Sequence, residues 1–507
     1  MERPNILYIM SDDHAINAIS TYGSRLAGVF KTPNLDRIAV EGARLDNFFA
    51  TNSICTPARA TVMTGQYGHI NGVKTLAHKI EDDHNPFLSS LLQESGYSTA
   101  MIGKWHLHTE PRGFDHYSYL LGKGGQGTYQ NPEFKYKNGE TKIHNGYVTD
   151  IITDMTIEWM KNRDKDKPFF MMCHHKAPHD FWEYPIRHEN LFEGKKIPVP
   201  DSLFEDKSHR SEGSREYGSS VTPRNKIRSL YAEFCDPDYV TGPLKGTEDM
   251  TFEEKGIAAY QKYLKDYLRT VAGIDDSVGE IMDYLKNTGE LDNTIIIYTS
   301  DQGMFLGEHD YQDKRWSYEE SLRTPFLIRY PKGIKDGTVK KELMANLDIA
   351  PTLLEYAGVE IPREIQGISQ KSMIEGDPDA IIRDEVYFRY WMHMGHRHQN
   401  PAHYGIRTER YKLIFYYGLP LDTYDGVRDR CSDRIQDIET PVGWELYDMK
   451  NDPYELKNLY DKEEYTEVVK DLTEKLLEVK KKYGDTDEKY PELIESFEKS
   501  TGGKINE

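Results

Sequence analysis

Three residues with useful chemistry lie within five positions, in the run Cys55-Thr56-Pro57-Ala58-Arg59. Pro57 has a fixed φ and no backbone N–H, which suits the first turn of a helix. A helix that begins here places Cys55 at its N-terminus, where free N–H groups and the macrodipole favour an anion. One turn returns the Arg59 cation to the same end. The pattern predicts an anion-binding site around residue 55, although a structural cysteine before an ordinary helix would use the same residues.

Two pairs of polar residues, Asp-Asp and Asp-Gln, follow the most strand-like parts of the chain. The apolar run at 5–10 leads into Asp12-Asp13, and the β-branched run at 294–299 leads into Asp301-Gln302. Open α/β sheets bind ligands at the carboxyl ends of such strands. Adjacent aspartates repel each other unless a cation neutralises them, which favours a metal site. Asp12-Asp13 taken alone would equally fit a turn with a helix cap, so the residues leave both interpretations open.

Another strand, predicted at 97–102, leads into Gly103-Lys104-Trp105-His106. Lys104 offers a point charge that holds anions, and His106 can exchange a proton near neutral pH. A further strand, predicted at 168–173, precedes His179. Outside a larger pattern, a lysine and a histidine near a strand end are as compatible with the protein surface as with a site.

These residues do belong to a larger pattern, which is centred on Cys55. Cys55 to Arg59, continued by Thr64-Gly65, resembles the signature of type I sulfatases in the alkaline phosphatase superfamily, Cys-x-Pro-x-Arg followed by Thr-Gly. In that family a maturation enzyme oxidises the cysteine to formylglycine, an aldehyde that is hydrated to a gem-diol. Further blocks match the family in the same order along the chain: Asp12-Asp13, Gly103 to His106, Pro178-His179, Asp301-Gln302, Lys314, and Tyr447 to Leu459.

The resemblance implies a metal site formed by Asp12, Asp13, Asp301, Gln302 and one oxygen of modified Cys55. These donors are all hard oxygens, which suit Ca²⁺ better than Zn²⁺, with Mg²⁺ as a possible substitute. The family usually has Asn or His at position 302, so Gln302 departs from the pattern in that one ligand.

The resemblance also implies which residues bind sulfate. Arg59 and the metal would hold the gem-diol of residue 55, and Lys104, His179 and Lys314 would neutralise the sulfate oxygens as charge shifts. One gem-diol oxygen would then attack sulfur in line.

Proton transfers are implied for three groups. Asp301 would accept the proton of the attacking oxygen, and His179 with Lys314 would protonate the departing alcohol. His106 would deprotonate the second geminal oxygen, which expels sulfate and restores the aldehyde.

A sulfated carbohydrate is the expected substrate. The polar stretch at 183–250 is too long for an ordinary connection and predicts an insertion that rims the pocket. The His- and Arg-rich run at 393–403 predicts a loop that contacts a polar sugar, with a solvated loop or an adventitious metal-binding tract as the alternative. The predicted substrate-binding residues are His309, His393, His396, Arg397 and His403.

Composition excludes other classes. The net charge of −20 over 507 residues argues against nucleic acid as a partner, because no basic tract offsets it. No apolar run approaches the length of a membrane span. The first residues show no signal peptide, but bacterial sulfatases of this kind are commonly exported, so we expect a periplasmic or secreted enzyme. Oligomeric state stays open.

The predicted fold is an α/β, alkaline-phosphatase-like sandwich with a central mixed sheet flanked by helices. We expect the catalytic domain at 1–370 and a small α+β subdomain with an antiparallel sheet at 371–507. The predicted activity is hydrolysis of carbohydrate sulfate esters through formylglycine and calcium. The alternative is a phosphonate or phosphate monoester hydrolase of the same superfamily.

Overall fold

The computed structural model describes residues 3–80, 84–421 and 438–501. The strands, in chain order, are β1 (Asn5–Ser11), β2 (Ala43–Leu45), β3 (Phe48–Phe49), β4 (Ser98–Gly103), β5 (His116–Leu120), β6 (Glu133–Tyr136), β7 (Thr141–Ile143), β8 (Phe169–His174), β9 (Thr294–Ser300), β10 (Phe305–Leu306), β11 (Gln312–Asp313), β12 (Phe326–Arg329), β13 (Thr338–Lys340), β14 (Met344–Ala345), β15 (Glu385–Tyr390), β16 (His403–Thr408), β17 (Tyr411–Tyr416) and β18 (Gly443–Asp448). The α-helices are α1 (Pro33–Val40), α2 (Cys55–Thr64), α3 (Gly68–Asn71), α4 (Leu88–Glu94), α5 (Val148–Asn162), α6 (Leu230–Phe234), α7 (Phe252–Asn287), α8 (Glu319–Leu322), α9 (Ile349–Tyr356), α10 (Lys371–Glu375), α11 (Thr466–Tyr483) and α12 (Pro491–Thr501).

A ten-stranded mixed sheet forms the centre, in the order β13-β2-β12-β9-β1-β8-β4-β5-β6-β7. Strands β9, β1, β8, β4 and β5 are parallel to one another. Antiparallel pairings bring in β12 on one side and β6 and β7 on the other. The carboxyl ends of the five parallel strands therefore lie along one edge, where the sequence placed its candidate site residues.

Helices cover both faces of this sheet because its central strands are apolar on both sides. Along β1, Ile6 and Tyr8 join the core under α2, α4 and α9. Leu7 and Ile9 join the opposite core under α1, α5 and α7. This alternation is the two-residue period of a strand, and it confirms the predicted α/β sandwich with a mixed sheet.

The helix α7 is one continuous helix of 36 residues. The Thr251 side chain accepts from the Glu254 backbone N–H, and the Glu254 carboxylate accepts from the Thr251 N–H, which forms a capping box. Tyr263 and Tyr267 lie one turn apart on this helix, and both side chains are fully buried. They pack against apolar side chains of the 183–250 segment, such as Phe192.

The predicted C-terminal antiparallel sheet is also confirmed, in the order β15-β16-β17-β18. Helix α11 packs on it through Leu472 and Leu476. The same apolar cluster contains Tyr311 and Trp316 from the catalytic part, so the two parts share a core. The predicted domain boundary at residue 370 stays a prediction. Among the described residues, the helices nowhere combine the length and apolar character that a membrane crossing requires.

Candidate active site

The Asp12-Asp13 and Asp301-Gln302 pairs meet because their strands are neighbours. β1 and β9 pair in parallel with Ser11 opposite Ser300, so Asp12 and Asp301 leave the sheet side by side. The backbone N–H of Asp13 donates to Asp301 Oδ1 at 3.3 Å. Asp13 has a φ of 67°, which is uncommon for a residue with a Cβ and typical of functional turns.

Helix α2 begins at Cys55 and carries it to this point. All ten residues of the helix are buried. The Cys55 thiol donates to Asp12 Oδ1 at 3.3 Å, and Gln302 Nε2 lies 3.6 Å from Sγ. Residue 55 therefore contacts groups from both strand ends, as the sequence predicted.

Arg59 binds two further elements one turn later. Its Nε donates to Asp301 Oδ2 at 3.0 Å, and its Nη1 donates to the Lys104 carbonyl at 2.8 Å. Because the side chain is only 2% exposed, these hydrogen bonds are shielded from water. The guanidinium thus fastens α2 to the ends of β9 and β4.

The predicted sulfate-binding side chains converge on the Asp12-Asp13 pair. Lys104 Nζ forms an ion pair with Asp12, and Lys314 Nζ lies 2.5 Å from Asp13 Oδ2. His179 Nε2 lies 3.6 Å from that Asp13 oxygen. All three side chains reach the space in front of residue 55.

The residues present fit a hard divalent cation. Carboxylate oxygens of Asp12, Asp13 and Asp301 lie within 4.8 Å of one another, and all three residues are buried. Gln302 Oε1 is buried and has no hydrogen-bond partner among the described residues. The three converging carboxylates form a hard oxygen donor set, which calcium or magnesium prefers. Gln302 reaches the same place with its amide, whose Nε2 donates to Asp13 Oδ1. The predicted metal ligands therefore come together.

Burial is the largest influence on the pKa values of Cys55, His106 and His179. It raises the pKa of the Cys55 thiol to about 12, so an unmodified thiol stays protonated at neutral pH and is a poor nucleophile. Burial lowers the pKa of His179, against the raising effect of Asp180. Burial and the Lys104 charge hold the pKa of His106 well below its usual range. Both imidazoles are thus neutral near pH 7.

Three predicted sugar-binding histidines lie inside the protein. His309 Nδ1 lies 2.5 Å from Glu205 Oε2. His393 contacts the Ile438 carbonyl through Nε2 at 2.9 Å, and His403 packs between the rings of Tyr390 and Trp316. Each has an exposed fraction of 1% or less, and the sugar contact predicted for each of them stays a prediction.

The remaining two members of that set differ. Arg397 is exposed, with a φ of 60°. The side chain of His396 lies outside the part of the chain that the structure describes.

A charged cluster beside Lys314 was not predicted. His398 Nδ1 lies 3.0 Å from Asp313 Oδ2, and Asp313 also pairs with Arg315 at 2.8 Å. Arg228, from the 183–250 segment, donates to His398 and lies 3.3 Å from Asp180 Oδ2. Asp180 in turn lies 2.5 Å from His179 Nδ1.

Sequence signals for this cluster existed but were weak. Asp313 and Arg315 flank Lys314, and His398 belongs to the same His-rich run as the residues chosen. Arg228 lies in a stretch without periodicity, so only the fold places it here.

Comparisons with known proteins match nearly the whole chain. A sequence model of the sulfatase family matches residues 4–359, and a model of the N-sulphoglucosamine sulphohydrolase C-terminal region matches residues 307–434 and 421–482. The chain is 41% identical, over 529 aligned positions, to an N-acetylglucosamine-6-O-sulfatase of Bacteroides thetaiotaomicron, covering 97% of this chain and 89% of that protein.

Solved structures agree in fold. One of a protein in complex with its substrate D-glucosamine-2-N,6-O-disulfate has a TM-score of 0.83 and 40% identity, covering 97% of this chain and all of that one. A phosphonate monoester hydrolase of Agrobacterium radiobacter has a TM-score of 0.70 at 21% identity, covering 95% and 96% of the two chains, a likeness that extends to the fold alone.

Proposed function

The chain belongs to the sulfatase family, and on that premise we propose that it is a carbohydrate sulfatase that removes the 6-O-sulfate of an N-acetylated or N-sulfated glucosamine. The 41% identity over almost the whole chain is the observation that carries this proposal. The substrate bound in the similar solved structure, a glucosamine disulfate, supports the same sugar.

The cofactors follow the same proposal. Formylglycine at residue 55, made by a maturation enzyme, would supply the nucleophilic oxygen that the inert Cys55 thiol lacks. Asp12, Asp13, Asp301 and Gln302 would hold calcium, whose positive charge would polarise the sulfate group. The all-oxygen donor set supports calcium over zinc.

The chain's own cations would bind the ester. Lys104 and Lys314 lie on either side of the acidic pair, Lys104 against Asp12 and Lys314 against Asp13. With a cation neutralising those aspartates, both ammonium groups become free to contact sulfate oxygens. Preorganised charges of this kind act in a buried site without the cost of reorienting water.

His179, once it has taken up a second proton as the anionic ester binds, would deliver that proton from Nε2 to the leaving sugar oxygen. Asp180 lies 2.5 Å from its Nδ1, which orients the ring and leaves Nε2 on the side of Asp13. An imidazole oriented by a carboxylate is a common arrangement for proton transfer. His106 would remove a proton when the aldehyde is restored.

Recognition of the sugar would use the cluster of Asp313, Arg315 and His398 beside Lys314. A carboxylate, a guanidinium and an imidazole together offer donors and acceptors for sugar hydroxyls. Arg397, which is exposed and lies one residue before His398, would extend that surface.

The test is sulfate release from defined sugars by protein whose residue 55 peptide has the mass of the aldehyde. The proposal expects release from N-acetylglucosamine-6-sulfate or N-sulfoglucosamine-6-sulfate, and much slower release from 3-O-sulfated glucosamine or 6-O-sulfated N-acetylgalactosamine. Phosphate and phosphonate monoesters are offered in parallel. Preferential turnover of those esters would replace the proposal with the superfamily alternative.

Export to the periplasm or the medium is part of the proposal, and its support is that bacterial sulfatases of this kind are commonly exported. Fractionation of cells producing the full-length natural protein tests it, and recovery in the cytoplasm alone would contradict it.

A further inference from the structure

A glycine-rich loop, residues 121–127 with the sequence LGKGGQG, runs beside Lys104 and His106. Its glycines at 122, 124, 125 and 127 all have positive φ, from 65° to 114°. A Cβ on Gly125 would lie 3.5 Å from His106 Cδ2, so the loop backbone approaches the imidazole closely. The loop's one polar side chain with described contacts to the site is that of Gln126.

Gln126 bridges Lys104 and His106. The Lys104 ammonium donates to Gln126 Oε1, and Gln126 Nε2 lies 3.5 Å from His106 Nε2. An ammonium can only donate, so the amide oxygen must face Lys104 and the amide NH₂ must face His106.

The orientation of the amide decides the tautomer of the imidazole. A donor facing His106 Nε2 requires that nitrogen to be unprotonated, which puts the ring proton of neutral His106 on Nδ1. His106 Nδ1 is buried and has no hydrogen-bond partner among the described residues, so no described contact at Nδ1 favours the opposite tautomer. The 3.5 Å separation is long, and such contacts tighten or yield when substrate arrives.

We propose that Gln126 is a positioning residue: it joins Lys104 and His106 into one unit and keeps His106 Nε2 unprotonated, as a proton acceptor must be. The consequence for catalysis rests on the proposed sulfatase function. The consequence for the tautomer does not, and it can be measured on protein without turnover.

The first experiment compares kcat and KM of wild type, Gln126→Met and Gln126→Asn on the preferred sulfated sugar. Methionine keeps the length of the side chain but neither hydrogen bond, and asparagine keeps a shorter amide. We expect Gln126→Met to lower kcat at least about tenfold with KM changed less than about threefold, and Gln126→Asn to recover part of the loss. Gln130→Ala is the matched control, because Gln130 is an exposed glutamine four residues away. A Gln126→Met enzyme with wild-type kcat would overturn the proposal.

The second experiment reads the tautomer by ¹⁵N NMR of protein labelled on histidine imidazoles, with His106→Gln identifying the signal. Wild type should show His106 protonated on Nδ1, and Gln126→Met should shift the proton toward Nε2. The same tautomer in both proteins would refute the proposal. Should wild type release no sulfate from any sugar, the proposed function fails, and the NMR result still decides the role of Gln126.

Discussion

Arg59 and Asp301 are 242 positions apart in the sequence and form a buried ion pair, in which Arg59 Nε donates to Asp301 Oδ2 at 3.0 Å and Nη2 lies 2.9 Å from the same oxygen. The pair joins the helix that carries residue 55 to the strand end that carries a predicted metal ligand. Burial alone would raise the pKa of Asp301, but Arg59, Lys104 and Lys314 lower it overall, so the carboxylate stays ionised. The Arg59 guanidinium thereby fixes the distance between residue 55 and Asp301.

Replacing Arg59 should therefore damage both stability and activity. Arg59→Ala leaves Asp301 buried without its main partner, which costs roughly 3–5 kcal/mol of unfolding free energy. Arg59→Lys keeps the charge but loses the forked geometry that reaches Asp301 and the Lys104 carbonyl, and should lower kcat at least about a hundredfold. Urea denaturation and sulfate release measure the two effects. The control is Arg187→Lys, where the ion-paired arginine is 39% exposed and the cost should stay below about 1 kcal/mol.

Cys55→Ser should abolish turnover or trap a sulfated enzyme, because serine provides one oxygen where the aldehyde hydrate provides two. Intact mass and sulfate release distinguish these results from activity. Cys235→Ser is the matched control, since Cys235 is a free, partly exposed cysteine outside the site. Wild-type turnover by the Cys55 variant would refute the role of residue 55.

Metal removal should lower the melting temperature, and calcium should restore it. Binding to the folded state alone adds about 2.7 kcal/mol at a hundredfold excess over Kd. Asp13→Asn should lose most of this response, because one of the three converging carboxylates becomes neutral. Competition calorimetry compares the two metals directly. Tighter binding of zinc than of calcium, with a larger rise in melting temperature, would contradict the oxygen-only site.

Stability should depend on pH through Asp275, away from the metal site. Burial raises the pKa of Asp275 from 3.8 to about 6, although its carboxylate accepts from the N–H groups of Asn34 and Leu35. The folded state then binds more protons than the unfolded state between about pH 4 and 6, so unfolding free energy falls as pH rises through that window.

The difference between wild type and Asp275→Asn isolates this effect. The unfolding free energy of wild type, relative to that of Asp275→Asn, should fall by up to about 3 kcal/mol between pH 4 and 7, because asparagine does not titrate. Urea denaturation at each pH provides the values. Asp283→Asn, on an exposed position of the same helix, should change unfolding free energy by less than about 1 kcal/mol. A wild-type minus Asp275→Asn difference that is constant with pH would disprove the assignment.

His398→Ala should weaken sugar binding more than chemistry. His398 contacts Asp313 rather than the carboxylates in front of residue 55, so we expect KM to rise about tenfold with kcat within about threefold. His84→Ala, an exposed histidine, controls for loss of an imidazole. A fall in kcat at unchanged KM would place His398 in the chemical steps instead.

Much of the fold was predictable because local signals agreed with the tertiary structure. The apolar runs that end in Asp12-Asp13 and Asp301-Gln302 form strands within one residue of their predicted ends. Pro57 and the residues after it form the predicted helix, with Cys55 as its first residue. In each case the apolar period, the breakers and the polar end residues favour one local structure.

The burial of the histidines could not be predicted, because residue type does not report burial. His393 and His403 occupy the same run as His398, yet the first two are enclosed by backbone carbonyls and aromatic rings. The direction in which each imidazole points depends on the antiparallel sheet and on the 183–250 segment, which contacts that run through Arg228.

The sequence by itself determined the family, the residues at the strand ends and the helix that presents residue 55, because short-range patterns and a specific motif encode them. Only the tertiary structure decided the pairs that join distant segments: Arg59 with Asp301, Arg228 with His398, and Gln126 between Lys104 and His106. Those contacts depend on which strands are neighbours and where long connections return, and no local pattern carries that information.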